Sequence, residues 1–326
     1  MTGIRPTKKP HERQQLRPRD ISGYRNGNTG TPYVFQFDST NPGPHAAIIA
    51  LVHGNELCGA AALDSLLSQG VRPTRGKLSL IFANVLAYET FDPTRPFAAR
   101  YLDEDMNRVW SAEILSGAGD SRELARAREL APVLTDVDFL LDLHSTSAPA
   151  PAMILAGQQP KGVALAQATG SPAHVVTDGG HAAGPRLRDF AAFNDPNALP
   201  AALLVECGEH FSPVSEDVAL DVAVRFLLAT KILAAIPRGL TLSADTPAQQ
   251  LIDVTEAVTI RSEKFTFARK FRCFETIPEA ATIIGHDGAV PVMTPYDNCI
   301  LVMPATHFAP GQTAVRLGRH VPWPTA

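Results

Sequence analysis

Three short polar segments carry the chemistry this chain can offer: His53-Gly54-Asn55-Glu56, Asp142-Leu143-His144 and Val205-Glu206-Cys207-Gly208. His53, Glu56 and His144 supply two imidazoles and a carboxylate. That set suits a catalytic zinc ion with a fourth position open to water. Such an ion lowers the pKa of its water toward neutrality. A further carboxylate, near the metal but not on it, takes the water's proton and passes it to a leaving amine; Glu206 is well placed in the sequence for that work. Asp142, two residues from His144, shares its strand face, where an acid can fix an imidazole tautomer. The same ligand types also hold non-haem iron in oxygenases. Those usually build the site on a β-sandwich, whereas the pattern here is α/β, so zinc is favoured.

Each segment ends an apolar run: AAIIALV (46–52), DFLLDLH (138–144) and AALLVECG (201–208). Continuous apolar runs of this length read as strands buried on both faces. Strands are also expected at 32–37, 77–85, 152–157 and 174–178. Helices are expected at 56–70, 121–134, 161–170, 185–193 and 215–236. The alternation predicts an α/β fold with a mostly parallel or mixed sheet flanked by helices. Open sheets of that kind bind ligands at the carboxyl ends of their strands, where all three segments fall. Residues 91–110 form a polar, proline-containing loop of the sort that carries function. From about 240 to 319 the helical period disappears and short β-rich runs replace it. The expected organisation is a surface or flexible arm (1–25), a zinc-dependent catalytic α/β domain (26–238) and a small all-β C-terminal domain (239–326).

The composition narrows the class. The 326 residues are 45% hydrophobic and 19% charged, which excludes disorder as the main state. A net charge of −4 does not advertise nucleic acid as a partner. No run approaches the 18 apolar residues of a membrane span, so no membrane partner is expected. Cys58, Cys207, Cys273 and Cys299 form no C-x-x-C pair; they read as small buried hydrophobes rather than a disulfide framework. The first 20 residues are polar and basic, with no apolar stretch of signal-peptide type. A cytoplasmic protein is expected, and a homo-oligomer is compatible with the sequence.

HGNELCG (53–59), RYLDEDMNRVW (100–110), DLHSTS (142–147) and VECG (205–208), in this order and spacing, resemble the aspartoacylase / succinylglutamate desuccinylase family of the zinc carboxypeptidase-like superfamily. The motifs cover about residues 46 to 240, and the β-rich tail agrees with that family's second domain. The resemblance implies a zinc-dependent amidohydrolase that cleaves an N-acyl group, acetyl or succinyl-like, from a small amino acid or amine. It carries the zinc ligands onto His53, Glu56 and His144, with one Zn²⁺ per chain, and the general base onto Glu206. It carries a carbonyl-polarising arginine onto Arg100 and a substrate-carboxylate pair onto Asn107 and Arg108. Physically, a guanidinium suits both tasks: a fixed donor for an oxyanion and a fork for a carboxylate.

The sequence also departs from the family pattern. Aspartoacylase-type members carry another arginine about ten residues before the catalytic glutamate; here that position is Pro196, with Arg186 and Arg188 further upstream. The family's pocket-closing tyrosine has no match, and His307 lies near its place. Ser145 stands where some relatives have Asn. Ser145 and His307 are therefore carried as substrate-binding candidates. These differences leave the chemistry intact and alter the pocket. Two other readings compete: a zinc carboxypeptidase acting on short peptides, and a catalytically silent metal-bound binding module.

Overall fold

The computed structural model describes residues 16–324 except Ala182. The first half alternates strands and helices, as the apolar runs predict. Its strands are β1 (Val34–Asp38), β2 (His45–Ala50), β3 (Lys77–Phe82), β4 (Phe139–Thr146), β5 (Met153–Leu155), β6 (His174–Thr177) and β7 (Ala201–Glu209). Between them run α1 (Leu57–Ser68), α2 (Val85–Tyr88), α3 (Ala112–Ser116), α4 (Arg122–Leu134) and α5 (Pro160–Thr169), and α6 (Pro213–Ala229) follows. After it come β8 (Gln250–Thr259), β9 (Phe265–Phe267), β10 (Glu275–Ile277), β11 (Ile283–Asp287), β12 (Val290–Met293), β13 (Cys299–Val302) and β14 (Thr313–Val321).

Eleven strands form one mixed sheet in the order β1-β3-β2-β4-β7-β5-β6-β8-β14-β13-β10. Its centre, β3-β2-β4-β7, is parallel. The β-rich C-terminal part contributes β8, which pairs in parallel with β6 and covers what would otherwise be an open edge. β9, β11 and β12 form a separate three-stranded antiparallel sheet.

Strand alternation divides the core into two layers. Ile48, Leu80, Leu141 and Leu203 point to the layer shared with α1 and α6. Ile49, Ile81, Leu140 and Ala202 point to the layer under α4. Asp142 and His144 have the parity of Leu140, and Glu206 that of Ala202, so all three emerge on the α4 side. β4 and β7 pair in a register that sets His144 beside Glu206.

Two helical expectations differ from the structure. The helix expected over 215–236 stops at Ala229. Lys231 turns left-handed (φ 60°), Ile232 N–H reaches Leu227 O (2.9 Å) and Lys231 N–H reaches Leu228 O (3.0 Å). This is a Schellman stop, closed by the buried pair Ile232 and Leu227. The helix expected over 185–193 is two short 3₁₀ turns, Leu187–Asp189 and Ala191–Phe193. Here Leu187 N–H bonds to Asn107 Oδ1 (2.8 Å), and Asp189 accepts from Arg186 and Arg188. Side-chain bonds to that stretch replace the helical ladder. Of the expected arm, residues 1–15 lie outside the described residues. The rest lies against the fold: Leu16 N–H donates to Phe211 O (2.7 Å), and Ile21 is buried. No helix of the described residues is long and apolar enough to cross a membrane.

The polar loop 91–110 is irregular but pinned. Glu123, fully buried in the first turn of α4, accepts from Leu102 N–H (2.7 Å), Asp103 N–H (3.0 Å) and Asn84 Nδ2 (3.0 Å). Removing this acceptor strands several donors at about 1–3 kcal/mol each. Glu123→Ala should therefore lower stability by roughly 3 kcal/mol or more, seen as a lower urea midpoint. An unchanged midpoint would show that the loop does not depend on this anchor.

Candidate metal centre and its cavity

β2 ends in a bend that aims His53. Leu51, fully buried, adopts a left-handed backbone (φ 63°), a conformation costing a branched residue about 1–3 kcal/mol that only tight surroundings hold. Gly54 follows because nothing larger fits: a Cβ there would sit 2.4 Å from Tyr88 N and 2.6 Å from Ala99 O. Glu56 then occupies the N-cap of α1, where the helix dipole favours a carboxylate.

The donor atoms of His53, Glu56 and His144 lie within 4.8 Å of one another, and all three residues are buried. Glu56 sits between the rings, with Oε1 2.8 Å from His53 Nδ1 and Oε2 2.8 Å from His144 Nδ1. The far nitrogen of each ring meets another acid. Asp105 Oδ1 is 2.8 Å from His53 Nε2, and Asp142 Oδ2 is 2.9 Å from His144 Nε2. The second pair is close but off line for a hydrogen bond. Both Asp142 oxygens, His144 Nε2 and Glu206 Oε2 are thus buried without a hydrogen-bond partner among the described residues.

These groups want a cation. Burial opposes charge on His144, but Asp142 and Glu56 outweigh it and raise its pKa well above that of free imidazole. Burial likewise opposes ionisation of Glu56, yet His144 and His53 hold its carboxyl well below the usual range. For Glu206 the balance goes the other way: burial, then the charge of Glu56, outweigh His144 and Arg100 and push it up to about 8. Four acids, Glu56, Asp105, Asp142 and Glu206, crowd two imidazoles with Arg100 beside them. With neutral rings and each Nε2 facing an acid, both Nδ1 lone pairs would converge on the Glu56 carboxylate. A divalent ion between them resolves that conflict, and the donor set fits one.

Arg100 Nη2 lies 3.1 Å from Asp105 Oδ2 and 3.0 Å from His53 Nε2; Nη1 lies 3.6 Å from Glu56 Oε1. Asn107 is buried, its Oδ1 taken by Leu187. Arg108 Nη1 donates to Asn107 O (2.6 Å). Ser145 donates its N–H to Glu56 Oε2 (3.1 Å), and its hydroxyl lies 2.7 Å from His210 Nδ1. His307 is exposed. All of these line one cavity of about 1230 Å³ together with the three candidate ligands and Glu206. Pro196, the position of the absent family arginine, is exposed and does not line it. Arg186 does line the cavity, but its three nitrogens are spent on Asp178 and Asp189 (2.7–2.9 Å).

Four cavity residues escape a reading by motif. Asp105, in the loop between Arg100 and Asn107, backs His53. His210 lines the cavity as a neutral ring, its pKa pulled down to about 4 by burial. His181 and Arg316 also line it. For Arg316 the available signal is a lone charge between Val315 and Leu317 in a strand whose neighbours are buried.

The description "Succinylglutamate desuccinylase/Aspartoacylase catalytic domain" matches residues 42–229, more than half of the 326 residues. A probable aspartoacylase of Parasynechococcus marenigrum is 34% identical over 126 residues, 36% of this chain and 40% of that protein. An N-acyl-aromatic-L-amino acid amidohydrolase (carboxylate-forming) of Xenopus laevis is 30% identical over 115 residues, 32% of this chain and 35% of that protein. The match thus spans less than half the length of either relative. The crystal structure of a succinylglutamate desuccinylase from Vibrio parahaemolyticus superimposes with a TM-score of 0.66 at 20% identity, over 89% of this chain and 87% of that one. At that identity the likeness speaks for the fold.

Acids that fix ligand orientation typically contribute 10- to 100-fold to metal affinity. Asp142→Asn should weaken divalent-metal binding at this site by roughly that factor, measured by competition with a chromogenic chelator. Unchanged affinity would remove Asp142 from that role.

Proposed function

The chain belongs to the succinylglutamate desuccinylase/aspartoacylase family, and from that premise we propose that it is a zinc-dependent amidohydrolase acting on a small N-acylated amino acid or amine. One observation carries the reading: three converging metal donors stand beside a buried carboxyl, Glu206, that has a free oxygen and opens on the same cavity. His53, Glu56 and His144 would hold the ion, with Asp105 and Asp142 orienting the imidazoles.

When bound, a divalent zinc ion supplies Lewis acidity and lowers the pKa of a coordinated water toward neutrality. Glu206 takes the proton from the attacking water and later delivers it to the leaving nitrogen. Burial and the neighbouring Glu56 raise its pKa and favour the acid role in the second step, while a bound cation favours the base role in the first. Arg100, fixed by Asp105, offers a permanent positive charge to the developing oxyanion. Asn107 and Arg108 face the cavity to receive a carboxylate. Zinc is preferred because two imidazoles and one carboxylate are its ligand types in hydrolases.

The test is amine release from a panel of N-acetyl and N-succinyl amino acids, with short peptides alongside. N-acyl amino acids should be cleaved, chelation should abolish turnover, and zinc should restore it. Cleavage of peptides alone would favour a carboxypeptidase; stoichiometric zinc with no turnover would leave a binding module. Glu206→Gln should keep its metal and lose about 10²- to 10⁴-fold in kcat. The base must be ionised, so kcat/KM should rise with pH along an acid limb. A bound cation pulls Glu206 down, which puts that limb's midpoint below the value of about 8 found without one. The limb should vanish in Glu206→Gln; its persistence there would assign the proton transfer to another group.

A further inference from the structure

Arg108, Arg186 and Arg316 line the same cavity near enough for their charges to interact, and the last of them makes no side-chain hydrogen bond among the described residues. Arg316 projects from β14 on the face opposite Val315 and Leu317, which pack into a C-terminal apolar cluster. Its side chain is 11% exposed, and it lines the cavity. Among the described residues its guanidinium makes no hydrogen bond. Its closest acid is Asp178, whose Oδ2 is 3.6 Å from Nε. Asp178 is already claimed in two-pronged fashion by Arg186 (2.7 and 2.9 Å). A buried guanidinium whose single ion pair is long and shared is costly, and an arriving anion would relieve it.

Arg108 is close enough for its charge and that of Arg316 to repel each other, and it too keeps unused donors: Nη2 is 3.8 Å from Asp105 Oδ2. Asn107 adds an amide nitrogen without a hydrogen bond among the described residues. The acids nearest to them, Asp105 and Asp178, stand at 3.8 and 3.6 Å and are engaged by His53 and Arg186. His181, beside both arginines, is held neutral: burial, then Arg108, Arg316 and Arg186, pull it down to about 4. Arg316 also lies near enough to Glu206 for their charges to interact, within the span of a small molecule.

We infer that Arg316 and Arg108 form a two-guanidinium clamp for one carboxylate of the substrate, so that the C-terminal β-strand reads the anionic end of the molecule. Specificity then depends on a residue far outside the matched region 42–229. The inference deepens the hydrolase reading and rests on it for the identity of the substrate. It restricts that substrate to N-acyl compounds that carry a carboxylate, excluding neutral N-acyl amines.

The experiment compares each cleaved N-acyl amino acid with its own carboxamide, using zinc-loaded wild type, Arg316→Met and Arg316→Lys. Losing a charge-assisted pair is worth roughly 10- to 100-fold. The wild-type preference for carboxylate over carboxamide should shrink by that factor in Arg316→Met, through KM more than kcat, with partial recovery in Arg316→Lys. An equal loss on both substrates would make Arg316 a brace for Asp178 and overturn the clamp. So would an unchanged KM.

Calorimetric titration with succinate, which has no amide to cleave, separates this result from the parent reading. Weaker succinate binding in Arg316→Met at equal zinc content supports the clamp even if no amide is hydrolysed. Hydrolysis with succinate binding indifferent to Arg316 overturns the clamp and leaves the hydrolase reading standing. If Arg316→Met does not fold, Arg316→Lys carries both measurements.

Discussion

Two imidazole nitrogens aimed at one buried carboxylate make up the constraint on which the rest of the structure depends. In apolar surroundings such a cluster is stable only with positive charge at its centre. Here the imidazoles are backed by Asp105 and Asp142, which deepens the demand. Glu206 stands at the edge of the cluster, and its carboxyl is kept protonated by the same crowding. A divalent ion would therefore complete the ligand shell and set the protonation state of the neighbouring acid in a single event.

The sheet explains how residues 91 positions apart come together. The parallel ladder of β2 and β4 ends at Ala50 and Leu143, just before His53 and His144, and β4 and β7 pair so that His144 and Glu206 are partners. Strand parity turns Asp142, His144 and Glu206 to one side, while the strained Leu51 and the side-chain-free Gly54 swing His53 and Glu56 over the strand ends. Loop 91–110 closes the arrangement from above α4, held by the buried Glu123.

The metal end of the cavity was legible from sequence because its parts are rare residue types at the ends of apolar runs, and strand ends are where α/β sheets bind. The parallel core and α1, α4 and α5 follow from periodicity alone. What escaped depends on partners distant in the chain. Whether TAVRLG buries its arginine depends on which face β8 and β13 leave open. The stretch 185–193 has helical composition, but Asn107, Arg186 and Arg188 redirect its hydrogen bonds. The entry of β8 into the central sheet beside β6 is likewise a long-range pairing that local pattern does not encode.

The cavity holds both signs of charge: four acids and Arg100 surround the metal donors, and Arg108, Arg186 and Arg316 lie together along its wall. On the proposed reading, those arginines would draw the carboxylate of an N-acyl amino acid into the cavity. The central claim nonetheless concerns the metal, and it is tested most directly by anomalous diffraction at the zinc edge from crystals of the protein purified without added chelator. One peak per chain, bounded by His53, Glu56 and His144, is the predicted result. A fully ordered trio with no peak between them, or zinc bound at other residues, would contradict it.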